Sequence, residues 1–247
     1  MKLNITAASY VGCVRANNED MVLVDRKFIR NDKYWTMHDL AESDRYLIAL
    51  ADGMGGHNSG EVASEMTLHN LQYYFSDLPS ALSTGDFNEA LFDWLQSINN
   101  IIESKGIVEP RFQGMGTTLV ALAYYGGHFF WLNCGDSRIY RYHDHELRQL
   151  STDHSLNNLT GRPGHSNIIT NCVGGGCKMS YFDIVECTTD MVSGDQMLLC
   201  SDGLTDMLSD EQIIELLASG CDASKLCHAA EDAGGYDNVT TAVIKIV

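Results

Sequence analysis

Four aspartates, widely separated along the chain, stand among small, turn-forming residues: Asn18-Glu19-Asp20, Ala51-Asp52-Gly53-Met54-Gly55-Gly56, Ser201-Asp202-Gly203 and Tyr236-Asp237-Asn238. Asp52 ends the apolar run Tyr46-Leu47-Ile48-Ala49-Leu50-Ala51, Asp202 ends the run through Met197-Leu198-Leu199-Cys200, and Asp237 precedes one instead. A fold that buries those runs delivers carboxylates from strand ends. Aspartates facing one another repel and raise each other's pKa unless a cation neutralises them. Hard cations such as Mg²⁺ and Mn²⁺ take oxygen ligands in octahedral geometry, and a neighbouring glycine lets a backbone carbonyl approach. Singly, each aspartate reads better as a turn former or helix cap; jointly, a divalent-metal site is the stronger reading.

With 247 residues and 45% hydrophobic content, the chain suits one domain, 1–247, large enough to bury a full core. Its formal charge of −17, from 33 acidic and 16 basic residues, argues against nucleic acid or an anionic membrane surface as partner. Most of that excess reads as a solvated surface that keeps the protein soluble. The opening Met1-Lys2-Leu3-Asn4-Ile5-Thr6 does not resemble a secretory signal, and no apolar run approaches ~18 residues. The expectation is a cytoplasmic monomer, unless the chain is a piece of a larger membrane protein. Eight cysteines show no Cys-x-x-Cys pair and no histidine at zinc-finger spacing. Buried free thiols are expected, Cys134 and Cys200 above all, and a Cys172–Cys177 bridge runs against a reducing compartment.

Runs rich in β-branched and aromatic residues predict strands at 3–9, 21–24, 46–51, 117–125, 128–133, 138–142, 181–186, 196–200 and 239–246. Tyr125-Gly126-Gly127-His128 and His143-Asp144-His145-Glu146 predict hairpin turns between antiparallel neighbours. Helices are predicted at about 60–75, 88–105, 209–217 and 223–233. In the second, Leu91, Trp94, Leu95, Ile98, Ile101 and Ile102 recur at helical spacing, and Asp86 with Glu89 resembles a capping box. Strands grouped with strands and helices with helices predict α+β layering. Residues 157–179, broken by glycine and proline, read as a mobile loop near a site or a passive surface excursion, and 37–43 as another loop.

Six stretches occur in an order that resembles the metal-dependent protein serine/threonine phosphatases of the PP2C (PPM) type, bacterial ones in particular. They are Arg15-Ala16-Asn17-Asn18-Glu19-Asp20, Ala51-Asp52-Gly53-Met54-Gly55-Gly56-His57, Gly116-Thr117-Thr118-Leu119, Asn133-Cys134-Gly135-Asp136-Ser137-Arg138, Ser201-Asp202-Gly203-Leu204 and Asp237-Asn238-Val239-Thr240. The resemblance runs from Arg15 to the C-terminus. It implies a four-layer αββα sandwich, two central antiparallel sheets flanked by pairs of helices. It also implies that Asp52 bridges two Mn²⁺ or Mg²⁺ ions, that the Gly53 carbonyl binds one, and that Asp202 and Asp237 hold the other. Glu19 and Asp20 complete the site directly or through water, Arg15 binds the substrate phosphate, and Asp136 shares a third, weaker metal with Asp202. The activity implied is hydrolysis of phosphoserine and phosphothreonine in proteins, the substrates of a Ser/Thr kinase, by a water or hydroxide bridging two ions.

Elementary chemistry agrees with that implication. A phosphate dianion repels hydroxide, and two cations lower the pKa of a shared water and neutralise the phosphoryl oxygens during in-line attack. An arginine fork fixes phosphate bidentately as lysine cannot; the plain alternative for Arg15 is a surface salt bridge with Glu19 or Asp20. Eukaryotic members often place a histidine acid where this chain has Met54, which cannot donate a proton. His57 reads as structural, and His154 and His165 as surface or hydrogen-bonded histidines. Gly174-Gly175-Gly176 lacks the lysine and helix of a P-loop and reads as a flexible turn. After Asp153-His154-Ser155-Leu156 the flap of similar phosphatases is shortened here, over about 157–179. Two other functions remain open: a catalytically silent module that recognises a phosphoprotein or kinase, and a phosphomonoesterase acting on small molecules. Retained Arg15, Asp52, Asp202 and Asp237 argue against the silent module.

Overall fold

The computed structural model describes residues 1–55, 59–162, 164, 166 and 168–247, Glu42 by its backbone alone. In chain order its strands are β1 (Lys2–Tyr10), β2 (Met21–Val24), β3 (Lys27–Ile29), β4 (Asp32–Asp39), β5 (Arg45–Ala51), β6 (Gly53–Met54), β7 (Gly116–Thr117), β8 (Leu119–Tyr125), β9 (His128–Cys134), β10 (Arg138–His143), β11 (Glu146–Gln149), β12 (Val173–Gly174), β13 (Asp183–Glu186), β14 (Gln196–Cys200) and β15 (Val239–Ile246). The helices α1 (Ser59–Asp77) and α2 (Thr84–Val108) lie between β6 and β7 in sequence. A short α3 (Leu156–Thr160) follows β11, and α4 (Asp202–Thr205), α5 (Asp210–Ala218) and α6 (Ala223–Asp232) separate β14 from β15.

Two antiparallel sheets form the centre, one in the order β11-β10-β14-β15-β1-β4, the other β13-β9-β8-β5-β2-β3; β12-β7-β6 is a small third sheet. Strand β5 shows why they stack. Tyr46, Ile48 and Leu50 point into the layer between the sheets, with Ile5, Leu122, Met197 and Ile244. Leu47, Ala49 and Ala51 point the other way, onto Leu68, Leu71, Phe87, Leu91 and Leu95 of α1 and α2. A strand buried on both faces reads as a continuous apolar run rather than an alternating one. On the opposite side Ile213, Leu217, Leu226 and Cys227 of α5 and α6 cover Leu198, Tyr140 and Val243. The result is the expected α+β, αββα order of layers.

The hairpin turns fall where glycine and aspartate placed them, Tyr125 pairing with His128 and His143 with Glu146. Several boundaries differ. Residues 37–39 belong to β4, which pairs with β1 along its length, and the chain leaves the sheet at Leu40–Glu42, a 3-10 turn, with Ser43 after it. An edge strand with one face in solvent needs no apolar run, so Asp32-Lys33-Tyr34-Trp35-Thr36-Met37-His38-Asp39 looks polar enough for a loop. Helix α2 starts four residues earlier than predicted, at Thr84: Ser83, not Asp86, is the N-cap, its hydroxyl accepting from Asp86 N–H. The 157–179 stretch contains the end of α3 and β12, and its start is pinned by a bridge between Ser155 and Ile169. All eight cysteines are free thiols; Cys134 and Cys200 are fully buried, as expected. Among the described residues no helix is long and apolar enough to cross a membrane.

Candidate metal centre

Strand pairing brings the acidic motifs to one rim of the sandwich. Met21 of β2 pairs with Ala51 of β5, which sets Asp20 beside Asp52. Leu119 pairs with Cys134, so the turn carrying Asp136 lies next to Thr118 and the exit of β5. In the other sheet Arg138 pairs with Cys200 and Cys200 with Thr241, which brings Asp136, Asp202 and Asp237 to the same end. Tyr10 opposite Val239 adds the loop that carries Arg15 and Glu19. Five aspartates from two sheets thus share one rim, although they come from residues 20 to 237.

Their electrostatics match that placement. Asp20 and Asp136 are buried, and Glu19, Asp52, Asp202 and Asp237 are half-buried. Burial raises the Asp20 carboxyl to about 7 against the pull of hydrogen bonds from Ser201 and Thr240, with Asp202 and Asp237 adding to the rise. Burial and then Asp202 raise Asp136 to about 7 as well. Asp52 is raised well above the ordinary carboxylate range, by burial first and then by Asp20, Asp202, Asp136 and Asp237. Glu19 is raised by burial, with Arg15 opposing. Among the described residues Asp20 Oδ2 is buried and has no hydrogen-bond partner, a costly state for a carboxylate oxygen unless a cation meets it. The donors are oxygens throughout, the set a hard divalent cation prefers. Among the described residues no three of the acidic, histidine or cysteine side chains close around one point where an ion could sit.

The backbone around these carboxylates is tightly determined. A Cβ on Gly53 would stand 2.2 Å from the Gly60 carbonyl oxygen and 2.6 Å from that of Glu19, so α1 docks directly on the Asp52-Gly53 turn. A Cβ on Gly203 would stand 1.9 Å from the Asn238 carbonyl, which joins the Asp202 and Asp237 segments. Thr118 grips Asp52 from both sides, its N–H donating to the Asp52 carbonyl at 2.9 Å and its hydroxyl accepting from Asp52 N–H at 3.1 Å. Arg30 donates to the Asp20 carbonyl at 2.9 Å, to the Glu61 carbonyl at 3.0 Å and to Ser64 Oγ at 2.9 Å. Asn238 Oδ1 accepts from Glu19 N–H, while its amide donates to the carbonyls of Val11 and Asn17.

Asp136 is supported from behind. His154 accepts at Nδ1 from Gly135 N–H and Asn171, donates from Nε2 to Asp183, and returns its own N–H to the Gly135 carbonyl. Its neighbour Asp153 takes a bidentate pair from Arg138, at 2.9 and 2.7 Å.

Glu19, Asp20, Asp52, Gly53, Asp136, Asp202 and Asp237 all lie at this one rim. Arg15 lies at the same rim, but its ion-pair partner is Asp237, 2.6 Å away, rather than Glu19 or Asp20. His57 and His165 lie outside the described residues, as does Gly56. His154 is the hydrogen-bonded histidine expected, though buried. The supporting roles of Arg30, Thr118, Ser64 and Asn238 were not legible beforehand. Thr118 and Asn238 lie inside the sequence motifs with no role of their own there, and Arg30 and Ser64 carry no local signal.

Comparison with known proteins gives the same picture. The family model described as protein phosphatase 2C matches residues 27–241. Serine/threonine protein phosphatase PstP of Mycobacterium tuberculosis is 33% identical over 255 residues, covering 99% of this chain but 45% of PstP; the chain thus spans about half the length of that relative. A solved Streptococcus agalactiae serine/threonine phosphatase superposes with a TM-score of 0.84 at 28% identity, covering 99% of this chain and 100% of that one. The catalytic domain of PstP solved in complex with two manganese ions superposes with a TM-score of 0.72 at 33% identity, covering 99% of each. A family model that spans most of the sequence, and a shared fold over almost all of it, establish that the chain belongs to the protein phosphatase 2C family.

Proposed function

We propose that this chain hydrolyses phosphoserine and phosphothreonine monoesters in proteins with two Mn²⁺ or Mg²⁺ ions at the carboxylate rim. The main support is the convergence of Asp20, Asp52, Asp136, Asp202 and Asp237, with an oxygen on Asp20 that is buried and unpartnered among the described residues. Asp52 would bridge the ions, the Gly53 carbonyl would bind one, and Asp202 with Asp237 would hold the second. Glu19 and Asp20 would complete the set, directly or through water, and Asp136 would share a third ion with Asp202. When bound, such ions supply a nucleophilic water, bridging as water or hydroxide at neutral pH, and charge neutralisation for the phosphoryl oxygens.

The chain's own residues do the positioning. Arg15, half-exposed at the rim, would take the phosphate bidentately. Thr118, Arg30 and Asn238 hold the backbones of Asp52, Asp20 and Glu19 in register. Met54 has no proton to give, so the leaving oxygen must be protonated by solvent or another group. The relatives named as serine/threonine phosphatases, one of them solved with manganese, support both substrate class and cofactor. A cytoplasmic monomer acting on the products of a Ser/Thr kinase completes the proposal. The test is a metal-titrated assay on phosphothreonine peptides with a chelator control and Asp202→Asn. Phosphate release that needs Mn²⁺ and disappears in the variant supports the enzyme; peptide binding without release would support a silent recognition module instead.

A further inference from the structure

A pair of thiols flanks β12, which β7 joins to β6 and its Gly53. Cys172 Sγ and Cys177 Sγ are 3.2 Å apart, at the ends of Cys172-Val173-Gly174-Gly175-Gly176-Cys177. Gly174, Gly175 and Gly176 take φ of 74°, 64° and 82°, turning the chain so that residues five apart meet. Cys172 is buried and Cys177 half-buried. The backbone is held from outside: Asn99 accepts from Gly174 N–H at 2.7 Å and donates to the Cys177 carbonyl at 3.0 Å, and Ser180 donates to the Cys172 carbonyl. A hydrogen bond from the Cys172 thiol lowers the Cys177 pKa, which favours the thiolate, the reactive form of cysteine.

We propose that Cys172 and Cys177 are a site of reversible disulfide formation, driven by a hydroperoxide, that modulates the metal site. The regulatory part rests on the phosphatase reading above; the bond itself does not. The Cys177 thiolate attacks a peroxide oxygen, the O–O bond breaks, and Cys177 becomes a sulfenic acid while hydroxide leaves. The Cys172 sulfur then attacks the sulfenic sulfur. The S–S bond forms, the S–O bond breaks, and the hydroxyl departs as water with the Cys172 proton. The two thiols give up two electrons in all, and the peroxide takes them. Because a disulfide spans about 2.05 Å, the sulfurs must close by roughly 1 Å.

That movement has a short route to the ligands. β12, between the two cysteines, pairs with β7, and β7 pairs with β6, which contains Gly53. Gly175 N–H donates to the Met115 carbonyl at 2.7 Å, and Thr117 Oγ1 donates to the Asp52 carbonyl at 2.8 Å. A shift in β12 therefore reaches Asp52 and Gly53 through the three-stranded sheet.

The test treats the manganese-loaded chain with hydrogen peroxide, caps remaining thiols, and reads the peptides by mass spectrometry. The expected product has a mass lower by about 2 Da, with Cys172 joined to Cys177. It should show a manganese requirement altered by about threefold or more, in the assay and in the manganese-induced rise of the unfolding temperature, with dithiothreitol reversing both. Cys177→Ser should form no such link and keep the reduced chain's manganese dependence; Cys172→Ala serves the same purpose if that variant does not fold. Recovery of both cysteines as free thiols, oxidation only at the exposed Cys13, or a link that leaves manganese dependence unchanged would each overturn the proposal. Absence of phosphopeptide hydrolysis from reduced and oxidised protein alike counts against the phosphatase reading alone, since peptide masses and unfolding temperatures still decide the thiol pair.

Discussion

Arg15 Nη2 lies 2.6 Å from Asp237 Oδ2, so the guanidinium expected to receive phosphate rests on a carboxylate expected to receive metal. The two come from the loops that follow Tyr10 of β1 and precede Val239 of β15, at the same end of the β1–β15 ladder. Both side chains are partly in solvent, 55% and 36% exposed, and exposed ion pairs hold their partners weakly. A cation competing for Asp237 and a phosphate competing for Arg15 can therefore separate them by side-chain rotation alone.

Arg15→Ala should raise KM for p-nitrophenyl phosphate by about tenfold with a much smaller change in kcat, because phosphate positioning begins in the ground state. The same variant should need less manganese, since Asp237 loses its competing cation. Steady-state kinetics across a manganese titration read both; a fall in kcat at constant KM would place Arg15 in transition-state stabilisation instead.

Asp52→Asn should abolish manganese-dependent turnover and leave the fold intact. In chelator the variant should unfold at a higher temperature than the parent, because burial and neighbouring carboxylates disfavour the Asp52 charge and the amide removes that charge. Activity and thermal unfolding on the same preparations check the pair, and undiminished turnover would remove Asp52 from the bridging role.

The metal-free chain should lose stability as pH rises. Asp20 and Asp136 are raised to about 7 in the fold, against about 3.9 in an unfolded chain. Between those values the folded state holds protons that the unfolded state has released, so stability falls with increasing pH. Unfolding temperatures in EDTA should drop between about pH 5 and about pH 7.5, and saturating manganese should flatten that slope. A rise across the same window in EDTA would show that these carboxyls are not raised.

Gly53→Ala should destabilise the protein by about 3 kcal/mol or more, because its Cβ would meet two backbone oxygens, 2.2 and 2.6 Å away, that cannot rotate aside. Urea unfolding measures the loss. A near-neutral result would mean that α1 does not dock on the Asp52 turn as described.

The sequence by itself determined most strands of the two central sheets, though not β3, β4 or β11, and the acidic motifs that end up at the rim. β5 announces itself as buried on both faces because every residue from Tyr46 to Ala51 is apolar or small, and Asp52 and Asp202 announce themselves by ending such runs. The edge strand β4 stayed hidden because solvent on one face removes the need for apolar residues, and the Ser83 cap because it precedes the apolar stripe of α2. Tertiary structure alone decided which carboxylates share the rim, that Arg15 pairs with Asp237, and that Arg30, outside every motif, fastens Asp20 to α1. Local pattern reports what each segment must bury, whereas contacts between residues some 200 positions apart depend on how the sheets stack and in what register, and that is fixed only when the whole core packs at once.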